Sequence, residues 1–278
     1  MKDADCVRFL QWALPQNQMR WPGFRKVRGQ VCKRIAKRLA QLQIHDIDAY
    51  QDYLSQQPQE WAELDQLCRV TISRFFRDKL VFTQLVQQVV PALAAQAQAS
   101  GNKLIRVWSV GCSSGEEPYT LAILWQHLLA QHFPAIHFSV LATEADPHLL
   151  ERCRQACYPA STIKNLPDTI RITAFIRTAD EYCLKPEYKT AVEFVQQDIR
   201  KVMPEEHFDL VLCRNLVFTY FDDQLQHKIL RQLYARLRTH GWLVLGVHEE
   251  LPADRVGFTT ISTRLGFYQK QPASPLHD

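Results

Sequence analysis

Apolar positions along the chain follow two different rhythms. Up to about residue 93 they recur at helical spacing. Val27, Val31, Ile35, Leu39 and Leu42 form one stripe, Ile47, Tyr50 and Leu54 a second, and Trp61, Leu64 and Leu67 a third. Side chains three and four apart share a helix face, so the pattern predicts amphipathic helices over 24–44, Asp46–Leu54 and Gln59–Val70. The first 70 residues thus read as a small helical bundle; Thr71–Leu93 follows it, and an Ala/Gln-rich stretch, Ala92–Lys103, closes the helical part, with a domain boundary expected near residue 100. Beyond it, short β-branched and aromatic runs take over. Ile105–Val110, His137–Thr143, Ala191–Gln196, Phe208–Cys213, Trp242–Val247 and Gly266–Lys270 read as strands. Helical patterns separate them at Glu116–Ala130, Pro147–Ala156 and Asp222–Arg238. Such alternation predicts an α/β sheet covered on both faces, with the last two strands as an antiparallel edge. Tyr158–Thr190 interrupts the rhythm with mixed charges and Pro159, Pro167 and Pro186, and is expected to be a small β-rich insertion.

The first strand ends abruptly at Gly111-Cys-Ser-Ser-Gly115, and a helix opens on Glu116 and Glu117. A strand, a tight small-residue turn and a helix N-terminus form the place in an open α/β sheet where a backbone approaches a ligand. The spacing matches neither a phosphate loop nor a GxGxxG fingerprint. Two acids at the helix start would repel a pyrophosphate; an amino group or a ribose suits them better. Favouring the helix N-terminus is the plainer role for the same acids. Glu144, at the tip of the second strand, stands where a ribose would be gripped through paired hydroxyls.

Composition narrows the class without naming it. The 278 residues, 46% apolar and 22% charged, are ordinary for a soluble globular protein, and the net charge of +4 implies no polyelectrolyte role. The charge is uneven, however: residues 6–45 hold no acid at all. On the 24–44 helix, Lys26, Lys33 and Lys37 project opposite the apolar stripe, and Arg34 and Arg38 flank it. That face suits an acidic partner surface, or is simply solvated. Eight scattered cysteines lack a CxxC pair or a histidine-completed metal set, so free buried thiols and no metal are expected. No signal peptide is expected from the acidic N-terminus, nor a membrane span from runs this short, and the expected location is the cytoplasm.

Taken together, the basic KRIAKRL helix, SRFFRD, VWSVGCSSGEEPY, LATEAD, FDLVLCRN with TYFD close behind, GVHEELP and a final FYQK resemble one family. It is the CheR family, the S-adenosyl-L-methionine-dependent protein-glutamate O-methyltransferases of bacterial chemotaxis, and the likeness runs from about Phe24 to Gln271. The resemblance implies a Rossmann-like class I methyltransferase sheet over 101–278, an N-terminal all-α recognition domain over 1–100, and a small inserted subdomain at 158–190. It implies that Arg77 pairs with the cofactor carboxylate beside the transferred methyl, with Thr71 and Ser73 lining the pocket. Gly111 belongs to the cofactor turn, Glu117 accepts from the cofactor amino group, and Glu144 holds the ribose. Asp198 and Ile199 flank the adenine, Asn215 and Leu216 lie near the methionine portion, and Tyr220 borders the methyl and substrate channel. Lys26, Lys33, Arg34, Lys37 and Arg38 become candidates for recognising an acidic protein such as the cytoplasmic helices of a chemoreceptor.

Methyl transfer from a sulfonium to an ionised carboxylate needs alignment rather than a general base, which agrees with the lack of a Ser/His/Asp or Cys/His set. The chain departs from the family pattern in having Thr71 for Asn, Glu144 for Asp, Asp198 for Asn, and four residues rather than three between CRN and YF. The insertion is also shorter than in members that dock a receptor tail, so no such tether is expected. A monomer is expected. A different carboxylic acid or protein acceptor, or a non-catalytic cofactor-binding module, remains open; a nucleic-acid methyltransferase is disfavoured, since neither [DNS]PP[YFW] nor a Pro-Cys motif occurs.

Overall fold

A computed structural model describes residues 2–253 and 257–272. Two compact units make up the chain: Met1–Thr71 with Leu216–His227, and Ile72–Asn215 with Lys228–Asp278.

The first unit is helical: Asp3–Gln16, Trp21–Phe24, Arg28–Leu42, Ile47–Gln56 and Glu60–Cys68. Val31, Ile35 and Leu39 are buried along Arg28–Leu42, as their spacing requires. That helix starts four residues later than expected, because Trp21-Pro22-Gly23-Phe24 forms a turn of its own. Gly23 must be glycine there: a Cβ would lie 2.2 Å from the Thr219 carbonyl oxygen. Asp46 caps the next helix by accepting from the Ala49 N–H at 2.8 Å. Glu60, almost fully buried, accepts from Arg38 Nε at 2.9 Å, Arg38 Nη2 at 2.7 Å and the Tyr50 hydroxyl at 2.8 Å. Burial alone would raise its carboxyl pKa, but the bonds from Arg38 and Tyr50 outweigh that and lower it. The Leu216–His227 segment is sewn into this unit. Arg20 N–H donates to the Tyr220 carbonyl at 2.9 Å, Asp222 N–H to the Gln18 carbonyl at 2.9 Å, and the Phe24 and Tyr220 rings lie 5.0 Å apart.

The second unit carries a sheet of strands β1 (Leu104–Val110), β2 (His137–Glu144), β6 (Val192–Gln196), β7 (Phe208–Leu212), β8 (Leu237–Val244), β9 (Phe258–Ser262) and β10 (Phe267–Lys270). Their order is β6-β2-β1-β7-β8-β10-β9, parallel from β6 to β8 and antiparallel at β10 and β9. Chain direction across the sheet reverses between β1 and β7, and such a switch point opens a crevice at the strands' carboxyl ends. The expected antiparallel edge exists, but β9 was not anticipated. Its burial alternates, unlike the continuous apolar runs of the central strands. A second, antiparallel sheet of β3 (Cys157–Pro159), β4 (Phe175–Arg177) and β5 (Glu181–Leu184), in the order β3-β5-β4, occupies the inserted segment.

The expected boundary near residue 100 moves to Thr71/Ile72. The helical stretch Lys79–Ala99, widened by one π-type turn at Leu85–Val89, buries Val81, Phe82, Leu85, Val89, Val90, Leu93, Ala94 and Ala97 in one core with Ile105 and Val107 of β1. This stretch is long and apolar enough to cross a membrane, and those apolar positions serve the sheet's core. The cysteines also differ from expectation. Cys68, Cys112 and Cys153 are buried free thiols and Cys213 is a buried cysteine, but disulfides join Cys6 to Cys32 and Cys157 to Cys183. Spacing along the chain could not reveal these pairs. The first joins two packed helices with Cα atoms 5.9 Å apart, and the second joins residues directly opposite on β3 and β5.

Candidate active site

Three chain segments converge at the carboxyl ends of β1, β2 and β7. The turn after β1 takes left-handed backbone at Gly111 (φ 65°), Ser113 (φ 53°) and Gly115 (φ 91°). At Gly115 a Cβ would press on Cys153 Sγ and the Tyr158 hydroxyl, both at 3.2 Å, so the turn packs closely on the layer behind it. Cys112 lies in that layer, and burial pushes its thiol pKa well up, which keeps it neutral.

Each expected carboxylate is held by the backbone or by a charge. Glu144 accepts from the Ala145 and Asp146 N–H groups through Oε1, at 2.8 and 3.0 Å, and from the Ser113 N–H through Oε2 at 2.9 Å. The longer side chain at this position therefore clips the tip of β2 to the turn. Glu117 accepts from the Ser109 hydroxyl at 2.8 Å and from Arg214 Nη1 at 3.0 Å. Asp198 pairs with Arg200 through Nε, at 3.0 Å to Oδ1, and through Nη2, at 2.7 Å to Oδ2. That partner answers the charge introduced by the departure from Asn at this position. Ile199 beside it is buried.

Arg77 sits on a pinned loop. Phe76 (φ 56°) and Asp78 (φ 60°) on either side of it are left-handed, a conformation that costs energy for such residues and has to be imposed. Phe75 N–H donates to the Thr162 carbonyl at 3.1 Å, and Phe76 N–H to the Thr120 hydroxyl at 3.2 Å. The Phe75 ring meets Tyr158 and Phe175 edge-on at 4.8 and 5.2 Å, while Phe76 stacks on Phe82 at 5.5 Å. Arg77 Nη1 donates to the Ile72 carbonyl at 2.8 Å. Ser73 bonds Glu116, whose carboxyl pKa is raised by burial, partly offset by hydrogen bonds that include Ser114 and Ser73. After β7, Asn215 (φ 56°) donates its N–H to Glu249 Oε2 at 2.6 Å, and Gly246 N–H reaches the same oxygen at 2.7 Å.

Second-unit residues expected at the site are thus Ser73, Arg77, Gly111, Glu117, Glu144, Asp198, Ile199 and Asn215; Thr71, Leu216 and Tyr220 belong to the first unit. Lys33 and Lys37 are exposed on the basic helix, and Lys26 is exposed in the turn just before it. Arg38 is committed to Glu60, and Arg34 to the Leu67 and Arg69 carbonyls, so these two arginines anchor the helix rather than present free charge. Sequence reasoning gave no role to Arg214, Asp78, Arg200 or Glu249, although FFRD, CRN and GVHEELP contain three of the four. The partners of Arg214, Asp78 and Glu249 lie far away in sequence, whereas Arg200 pairs with Asp198 two residues before it.

Residues 71–267 match the family model described as CheR methyltransferase, SAM binding domain, and residues 26–65 match CheR methyltransferase, all-alpha domain. A chemotaxis protein methyltransferase of Listeria innocua is 34% identical over 202 residues, which span 72% of this chain and 73% of that protein. The chain belongs to the CheR methyltransferase family. One from Borreliella burgdorferi is 30% identical over 184 residues, 65% of each chain. An uncharacterized 104.1 kDa protein of Rhodobacter capsulatus is 32% identical over 254 residues, 90% of this chain but 26% of that protein. The chain thus spans about a quarter of one relative and two thirds to three quarters of the others. The residues of this chain fit S-adenosylmethionine. Carboxylates flank a glycine turn, as an ammonium and a ribose diol require, and Ser113 Oγ and Gln197 Oε1 are buried there without a protein partner.

Proposed function

We propose that this chain transfers a methyl group from S-adenosylmethionine to the side-chain carboxylate of glutamates in an acidic signalling protein of the chemoreceptor kind, forming a methyl ester. The observation that carries the reading is the pinned Arg77 loop joined through Arg214 to the Glu117 carboxylate, with Glu144 fixed at the neighbouring strand end beside the same glycine turn. When bound, the cofactor supplies an electrophilic methyl on a sulfonium. Arg77 would hold the cofactor's carboxylate and Glu117 its amino group, while Glu144 would hold the ribose hydroxyls. Asp198 and Ile199 would border the adenine, and Ser73 and Asn215 would line the methionine end. The acceptor is ionised at neutral pH, with an ordinary pKa of about 4.3, so no residue has to remove a proton. What remains is orientation and exclusion of water.

Lys26, Lys33 and Lys37 are the proposed contacts to the acceptor protein, acting in the cytoplasm on a monomer's basic helix without a receptor-tail tether. Incubating the purified protein with methyl-labelled S-adenosylmethionine and bacterial membranes tests the acceptor chemistry. Label released as methanol by mild alkali is expected, because esters hydrolyse there; alkali-stable label would mean N-methylation and would remove the carboxylate reading.

A further inference from the structure

Arg214 lies two residues past the end of β7, and its side chain is only 3% exposed. Its guanidinium reaches across the β1/β7 switch point. Nη1 donates to Glu117 Oε2 at 3.0 Å, and Nη2 donates to Asp78 Oδ2 at 2.7 Å and to the Arg77 backbone carbonyl at 3.2 Å. The charge lies over the Phe82 ring, 5.4 Å from its centroid, and Phe82 itself stacks on Phe76. Nε is buried with no hydrogen-bond partner, so the orientation of the fork is set by these contacts alone. A planar guanidinium with two divergent donors can serve both carboxylates at once; an ammonium is a single point charge.

We propose that Arg214 is a positioning residue for the amino-acid end of the cofactor, fixing the Glu117 carboxylate and the Arg77 backbone relative to each other. The inference rests on the proposed roles of Glu117 and Arg77. Two groups that must grip one small zwitterion arise from segments 40 residues apart, and Arg214 is the side chain bonded to both. It also offsets one of the two negative charges of Glu117 and Asp78, which would otherwise both stand uncompensated beside a site that must accept a carboxylate. The adenosine end is held independently: Glu144 by backbone N–H groups and Asp198 by Arg200. Loss of Arg214 should therefore damage recognition of one end of the ligand and spare the other.

Two ligands separate these ends. S-Adenosylhomocysteine carries the amino-acid portion; 5′-methylthioadenosine keeps the adenosine and the thioether and lacks it. By calorimetry, Arg214→Met is expected to weaken S-adenosylhomocysteine at least about tenfold and methylthioadenosine by less than about threefold. Arg214→Lys, which keeps the charge and should preserve folding, is expected to fall between Arg214→Met and the native protein for S-adenosylhomocysteine. It carries the comparison if the methionine variant does not fold. Equal loss for both ligands would make Arg214 a purely structural residue, and no loss for either would remove the proposal. If the native protein itself fails to prefer S-adenosylhomocysteine over methylthioadenosine, the roles of Glu117 and Arg77 fall first, and this inference with them.

Discussion

At the scale of single residues, the proposed site divides into groups that would face the ligand and groups that hold them. Arg77 belongs to the first kind. Its side chain bonds the Ile72 carbonyl, so Arg77→Ala removes from the fold about 1 kcal/mol, the net worth of one such bond. Methyl transfer should nevertheless disappear, and the melting temperature should change little; unchanged turnover would remove Arg77 from the chemistry. Glu116 belongs to the second kind. Burial raises its carboxyl pKa above the unfolded value, so its contribution favours the fold at low pH and is lost as pH rises through the folded pKa. Glu116→Gln has no charge to bury. Its melting temperature relative to the native protein should therefore climb between about pH 4 and about pH 7. A difference that stays flat over that range would mean that Glu116 is ionised at no cost. Motif residues such as Glu117 and Arg77 could be proposed from the chain because the family motifs mark them. Arg214 and Glu249 could not be assigned roles, since their meaning lies in partners 97 and 34 residues away.

At the scale of elements, periodicity was a sound guide wherever one face of an element is buried. The Val31, Ile35 and Leu39 stripe follows it, while the strand at Leu104–Val110 is marked by a continuous apolar run, being buried on both faces over its second half. Periodicity failed where local geometry intervenes. Trp21–Phe24 forms a separate turn, and the helix Asp223–Arg236 yields at Leu237 to a strand that begins before Gly241. Burial also sorts the basic helix, which charge counting could not do. Arg38 and Glu60 form a partly buried pair, so Arg38→Ala should destabilise the helical unit by on the order of 3 kcal/mol, measured by urea unfolding. The loss should shrink in acid, because the lowered Glu60 pKa gives a contribution that disappears as pH falls through the folded value. Lys33→Glu with Lys37→Glu should act differently, since both side chains are exposed. Methylation of the protein acceptor should weaken, most at low salt, with S-adenosylhomocysteine affinity unchanged. Equal loss of cofactor affinity would assign this helix a structural role instead.

At the scale of the whole molecule, strand order explains why the motifs scatter along the sequence. β1 and β7 are neighbours in the sheet, although about a hundred residues separate them, and the reversal between them brings the glycine turn beside Arg214 and Asn215. Alternation of strands and helices was enough to predict an α/β sheet, but not which strands adjoin, nor that Lys79–Ala99 belongs to the sheet's core. The central claim is that this sheet end grips S-adenosylmethionine through Glu117, Glu144 and Arg77. Calorimetric titration with S-adenosylhomocysteine, comparing the native protein with Glu117→Gln and Glu144→Ala, tests it most directly. The account predicts one site per chain, weakened at least about tenfold by each substitution. Absence of binding to the native protein, or binding that neither substitution alters, would contradict it.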